Sequence, residues 1–287
     1  MQDVIDSFAT MPPVYRSLML GTGLVVFWVI EGTVPLFPFQ PGRYRHAAIN
    51  LSLTLFQLLI ALLMGTVLAY TAQSAAEYEL GLLRIIDLPL IVQAAAGILI
   101  LDFFVGYVCH RVQHTIPVLW RFHLAHHSDT KVDVTTGLRH HPIETLVRFT
   151  FMLMATLLGG VSIGVIFMYQ VIAVLFAQLT HANVRIPDAF DRFFARVFVS
   201  PNMHKVHHHF RKPLTNRNYG NVFSFWDRLL RTFAEVPAEK LTYGIDSIPS
   251  SRDNDRLVGI LQAPFRRQRE SPGVTGSDSV TASTDGR

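Results

Sequence analysis

The chain has almost no sulfur chemistry to offer. Cys109 is the only cysteine among 287 residues, which excludes an intrachain disulfide and a cysteine-based metal site. Set among apolar neighbours, it reads as a small buried side chain. Charge is scarce as well. Charged residues make up 16% of the chain, against about 25% in ordinary soluble domains. Half of the residues are apolar and the mean hydropathy is +0.31, a balance that points to a membrane protein. No zinc-finger spacing occurs, and the arginines are not interleaved with exposed aromatics, so nothing marks nucleic acid as a partner. The net charge of +4 is small, so the pI near 9.4 reflects local basic clusters. Residues Met1–Arg16 carry Asp3 and Asp6 and lack a basic leader region. The apolar run that follows is too long for a signal-peptide core and reads as a retained membrane helix.

Four apolar stretches are present, roughly Tyr15–Phe37, Ala47–Ala72, Leu88–Cys109 and Leu146–Thr180. A helix needs about 20 residues to cross a hydrocarbon core of about 30 Å, and each of the first three meets that length. Glu31, near the end of the first, reads either as a carboxylate reaching toward the surface, the simpler reading, or as the mark of a polar pocket. The fourth stretch would run roughly 50 Å as one helix, too long for one crossing. It holds Gly159, Gly160 and Gly164 in its middle and has His140 and His141 before it and His181 after it. If both flanks serve one site, both ends lie on one membrane face. The stretch is therefore expected to fold as a hairpin, about Ile143–Leu158 and Val161–His181. Each arm, roughly 25 Å long, would only just cross.

Charge sets the orientation. Arg43 and Arg45 follow the first stretch, whereas Glu77, Glu79 and Asp87 outnumber Arg84 in the next loop. Arg111, Arg121, Lys131 and Arg139 follow the third stretch, and Lys205, Arg211, Lys212, Arg217, Arg228 and Arg231 crowd the later segment. The positive-inside rule then places the N-terminus outside and every histidine cluster on the cytoplasmic face. The segment Ala189–Phe198 aligns Phe190, Phe193, Phe194 and Val197 on one side, suited either to the membrane interface or to packing on the rest of the fold.

What the chain has in quantity is histidine. Twelve of its thirteen histidines lie between His110 and His209. His110 and His114 are spaced i, i+4. His123, His126 and His127 are spaced i, i+3, i+4, and so are His204, His207 and His208. These spacings align side chains on one side of a helix. With His181 as a ninth member, the eight motif histidines suffice for a cage around two ions. One zinc ion takes four ligands, or three plus water. The lack of clustered carboxylates disfavours magnesium and calcium, and the lack of cysteine disfavours soft copper sites. Iron, manganese, zinc and nickel remain on ligand type. A site at the end of apolar helices suits a lipid substrate, and oxidising an unactivated C–H bond needs an oxygen-activating metal, for which iron is the natural choice. Groups expected to orient the ring nitrogens are Asp102, Asp129, His141, Glu144, Asn183, Asn221 and Asp227. His140 reads as a solvated neighbour, His209 falls about 100° round the helix from His208, and His46 is expected at the interface.

The order H-x-x-x-H, H-x-x-H-H, lone histidine, H-x-x-H-H resembles the fatty acid hydroxylase and sterol desaturase superfamily. Leu119–His123, His126–Ser128, His141–Glu144, Asn218–Asn221 and Trp226–Arg228 match it too, so the likeness covers about Asp102–Phe233. Arg231-Thr232-Phe233 departs from the Gly-Thr-Phe of many members. The resemblance implies a non-haem di-iron membrane enzyme using O2 and two external electrons. Hydroxylation, desaturation or ether cleavage of a lipid or sterol are the reactions it implies. By position it makes His110, His114, His123, His126, His127, His204, His207 and His208 the ligands, with His181 as the lone histidine. It implies a separate electron-transfer protein, a ferredoxin or a b-type cytochrome with its reductase. The expected architecture is an all-α integral membrane protein. It has about three spanning helices and a helical hairpin, capped by a cytoplasmic helical lobe with a histidine-caged dimetal site. The expected division is N-terminal membrane helices over 1–86, a catalytic domain over 87–235, an extension over 236–265 and a disordered tail over 266–287. Two alternatives differ in class. A zinc-dependent membrane hydrolase would need a general base such as the Glu of H-E-x-x-H, which no cluster contains. A histidine-rich metal transporter would want polar groups through its spans, which are almost entirely apolar.

Overall fold

A computed structural model describes residues 1–246 and 251–267. Most of the tail expected over 266–287, from residue 268 on, lies outside the described residues. Among those described there is no β-strand beyond three isolated bridges. A short α1 (Gln2–Thr10) precedes α2 (Pro13–Thr33) and α3 (Arg43–Glu77), and a single turn, α4 (Leu82–Ile85), leads to α5 (Leu90–Leu101). The α5 helix widens into a π-helical segment, Asp102–Val108, and resumes as α6 (Cys109–Thr115). Next come α7 (Pro117–His127), α8 (Pro142–Gly159) and α9 (Ile163–His181). Short helices follow among the described residues: α10 (Asp188–Phe194), α11 (Pro201–His207), α12 (Phe225–Leu229), α13 (Ser251–Asn254) and α14 (Leu257–Gln262).

Proline starts many of these helices. Pro13, Pro117, Pro142 and Pro201 occupy first-turn positions, where the missing N–H costs nothing. Five segments are long and apolar enough to cross a membrane: α2, α3 with its following turn, Leu90–Thr115, α8 and α9. The chain is a multi-pass membrane protein. The α2 and α3 helices present leucine and valine outward, with Leu62 75% exposed, as a lipid-facing surface requires. Leu68, Leu101, Ala155, Ile166 and Tyr169 belong to the largest buried cluster, between α3, α5, α8 and α9.

The fourth apolar stretch is a hairpin. Its turn includes Gly160 at φ +67°, a left-handed helix end that glycine adopts without strain. Gly81 packs so closely on Gly159 and Gly160 that a Cβ there would strike their backbone. Ile5 of α1 lies equally close to Gly164. The hairpin turn therefore meets the loop after α3 and the N-terminal helix, at the end of the bundle remote from the histidines. At the other end the short helices cover α6, α7 and the end of α9. In α10, Phe190 and Phe193 are 59% and 68% exposed, while Phe194 stacks on Phe176 and lies tilted against Phe198.

Candidate metal centre

Nine histidines from four places in the chain converge in two groups. His110, His114, His123, His127 and His207 form one; His126, His181, His204 and His208 form the other. Within each group one ring nitrogen per residue lies within 4.8 Å of all the others. Each i, i+4 pair stays in one group, while the i+3 members, His126 and His207, join the other. On a helix, i+3 and i+4 lie about 100° apart on either side of residue i, so an H-x-x-H-H motif faces two centres at once. The groups adjoin: the rings of His127 and His208 stack at 4.7 Å.

The inner nitrogens fit metal ions. His181 Nε2 lies 3.1 Å from His126 Nε2 and 3.0 Å from the Nε2 atoms of His208 and His204. With bonds of about 2.1 Å, ligands at right angles lie about 3.0 Å apart and tetrahedral ligands about 3.4 Å apart. In the other group, His110 and His123 approach at 3.1 Å through Nε2. The Nε2 atoms of His114, His127 and His207 are buried with no hydrogen-bond partner, a cost that coordination would remove.

Hydrogen bonds at the outer nitrogen turn five of the nine rings inward, whereas Nδ1 of His126, His127, His204 and His208 is buried without a partner. His110 Nδ1 donates to the Tyr219 carbonyl at 2.7 Å, His207 Nδ1 to Arg217 at 2.7 Å and His181 Nδ1 to Ala177 at 2.6 Å. His123 Nδ1 donates to Glu144 Oε1 at 2.9 Å, and His114 Nδ1 lies 3.3 Å from Asn216 Oδ1. A carbonyl can only accept, so the proton sits on Nδ1 and the Nε2 lone pair faces the centre. Burial, and then neighbouring rings, push His126, His127, His204 and His208 well below the usual imidazole range. Burial outweighs the Arg217 hydrogen bond at His207, which falls to about 3. His123 is also pushed down by burial, although Glu144 opposes it. Neutral imidazoles, the form that binds metal, are thus favoured.

Residues 94–232 match the profile of the fatty acid hydroxylase family. This segment is a fatty acid hydroxylase domain. The ornithine lipid hydroxylase OlsE of Rhizobium tropici is 32% identical over 154 residues, 54% of this chain and 45% of that protein. The alkylglycerol monooxygenase of Homo sapiens is 26% identical over 251 residues, 85% of this chain and 52% of that protein. The alkylglycerol monooxygenase of Xenopus tropicalis is 26% identical over 249 residues, 85% and 51% respectively. The chain spans about half the length of these curated relatives. No solved structure matches.

Around the fatty acid hydroxylase domain's histidines, the expected orienting groups divide. Glu144 touches the cage directly, with His123 and His140 both donating to Oε1. The hydrogen bonds of the others go elsewhere. Asp102, on the π-helical segment, accepts from the backbone of Val222 and Phe223 and from Trp226 Nε1, so it fixes the loop after Tyr219. Asp227 accepts from the backbone of Tyr219 and Gly220 and acts on His110 through the Tyr219 carbonyl. Asn221 donates to Ala173, and Asn183 pairs with the Phe37 backbone. Asp129 binds His46 at 2.8 Å and Thr136. Its pKa is lowered because His46 and Arg139 overcome the upward push of burial. His141 Nδ1 caps α8 by accepting from Ile143 N.

Three readings change in the structure. His46 is buried in α3 rather than at the interface, because two carboxylates, Asp129 and Asp133, meet its ring. His140 is not a solvated neighbour: it stacks on His126 at 4.8 Å. Glu31 is fully buried and accepts from Arg43, Val134 N and Asn183 N. In the sequence Arg139 is marked only as one of the basic residues after the third stretch. Its buried guanidinium donates to the Ala125 carbonyl, Ser128, Asn50 and the Asn254 carbonyl, pinning the end of α7. Backbone acceptors such as Tyr219 and Arg217 leave no side-chain signature, so no sequence signal marks them.

Proposed function

We propose that the chain is a membrane-bound, O2-dependent di-iron oxygenase acting on a lipid or sterol. The observation that carries this is the pair of buried imidazole groups, five and four, at the end of an apolar helix bundle. His110, His114, His123, His127 and His207 would hold one ion, and His126, His181, His204 and His208 the other. When bound, the iron pair supplies reduction of O2 with two external electrons, chemistry beyond any side chain. The residues of the chain do the rest. Tyr219, Arg217, Ala177 and Glu144 hold the protons on Nδ1 of His110, His207, His181 and His123, leaving their Nε2 atoms for metal. Burial keeps bulk water away from the centre. The apolar helices admit the lipid chain from the bilayer, and the site holds one C–H bond in reach. The names of the relatives, a hydroxylase and a monooxygenase, support insertion of oxygen over desaturation. Basic residues after α6 and α9 support a cytoplasmic histidine face. A ferredoxin or b-type cytochrome would deliver the electrons.

The zinc hydrolase alternative has less support. Glu144 Oε1 accepts from two imidazoles, an orienting role, and no histidine cluster contains the glutamate of H-E-x-x-H. The test is metal analysis of the purified protein, followed by incubation with a lipid extract, O2 and a reductant. About two irons per chain and a lipid product heavier by one oxygen are expected. Zinc alone, with hydrolysis products and no O2 uptake, would refute the proposal.

A further inference from the structure

We propose that the surface over Trp120 is the docking site for an acidic one-electron carrier protein. The inference rests on the oxygenase reading, which draws two electrons from outside the chain. The Trp120 ring lies 4.7 Å from His114, 5.4 Å from His127 and 6.1 Å from His123, centroid to centroid. One indole thus touches three rings of the five-histidine group. Those rings are at most 6% exposed, whereas Trp120 reaches the surface. Beside it, Ile116 and Val118 are 42% and 58% exposed.

The rim around this apolar centre is basic. Residues 103–128, which carry Arg111 and Trp120, contain no aspartate or glutamate, and neither do residues 192–226, which carry Arg217. Arg111 and Arg217 both act on Tyr219, whose ring is 5.2 Å from His114. Arg217 donates to the Arg231 carbonyl at 2.9 Å, which brings exposed Arg231 into the same rim. An apolar centre inside a ring of one charge steers a partner of opposite charge and seats it without many hydrogen bonds. An interfacial lipid anchor would also use tryptophan and arginine, but it has no need for an indole against three metal-facing imidazoles.

Each docking event oxidises the carrier by one electron and reduces the metal centre by one. Two events balance the reaction: substrate C–H, O2, two electrons and two protons give C–OH and water.

The test uses the full chain in detergent, loaded with iron. A small acidic [2Fe–2S] ferredoxin serves as the probe, and its own absorbance reports its oxidation. The expected result is binding that weakens as salt rises. Arg111→Glu with Arg231→Glu should weaken binding about tenfold at low salt. Trp120→Leu should slow ferredoxin oxidation at least tenfold at saturating ferredoxin, and Trp120→Phe should restore most of it. Unchanged affinity in the double variant, or no salt-sensitive binding by the wild type, would overturn the proposal. So would a double variant that keeps ferredoxin binding but loses association with anionic vesicles, which marks a membrane anchor. Dithionite-driven turnover of a lipid extract separates the underlying reading. Its absence in the wild type counts against the oxygenase itself, while its presence with unaltered ferredoxin binding counts against the docking site alone.

Discussion

The Glu31 carboxylate accepts the backbone N–H of Asn183 at 3.0 Å, two residues beyond His181, and the backbone N–H of Val134 at the same distance. Arg43 completes the set at 2.8 Å. The end of α2 is thereby tied to the end of α9 and to the loop after α7. Replacing Glu31 by alanine leaves two buried N–H groups and a cation without their acceptor, which should cost about 3–5 kcal/mol. Thermal unfolding in detergent measures it, with Glu31→Gln falling between. Equal midpoints for Ala, Gln and wild type would show that the contact holds nothing.

Each ion should depend on its own group. His207→Ala removes a ligand from the five-histidine group and His126→Ala one from the four-histidine group. Iron content should fall from about two per chain to about one or fewer in either variant, with loss of lipid oxidation. Two irons and full activity in both would remove these residues from the ligand set.

Glu144 orients His123 and braces His140, which in turn stacks on His126. Glu144→Gln keeps the volume but loses the charge that favours the Nδ1 proton. Metal affinity or activity should fall about 10–100-fold. A chelator competition curve matching wild type would contradict this.

Acid should weaken the metal-free protein over a defined range. Burial lowers the cage imidazoles in the folded state, with His207 going from 6.5 to about 3. Unfolded imidazoles take up protons below about 6.5 and the folded ones resist, so the unfolded state gains as pH falls. Stability is complete above 6.5 and is lost progressively down to about 3. The midpoint of unfolding against pH checks the sign; a flat curve between 7 and 4 would be inconsistent with buried neutral rings.

The hairpin turn should open to the side opposite the histidines. A cysteine at Ser162, in a Cys109→Ala background, is expected to react with an impermeant maleimide only from that side. Reaction from the same side as a cysteine at exposed Thr130 would show a shallow, re-entrant element.

Much of this arrangement was legible beforehand. The glycines at 159 and 160 and the histidines on both flanks gave the hairpin, because a site cannot be shared across the bilayer. Histidine spacing gave the helix faces. It did not assign Trp120, whose indole looks like any interfacial aromatic until its neighbours are known. Nor did it reveal the destinations of Asp102 and Asp227. A carboxylate near a histidine in sequence has no fixed direction, and both serve the 219–227 loop that carries a carbonyl to His110. Glu31 was unreadable for a related reason: its partners lie 12 to 152 residues away.

The α7 and α11 helices each supply histidines to both groups. A rigid helix cannot settle one set of its side chains without settling the other. The first ion to bind would therefore order ligands for the second, and the two loadings would share one free energy of organisation. Iron uptake should then be sigmoidal, with singly loaded chains rare at every stage of filling.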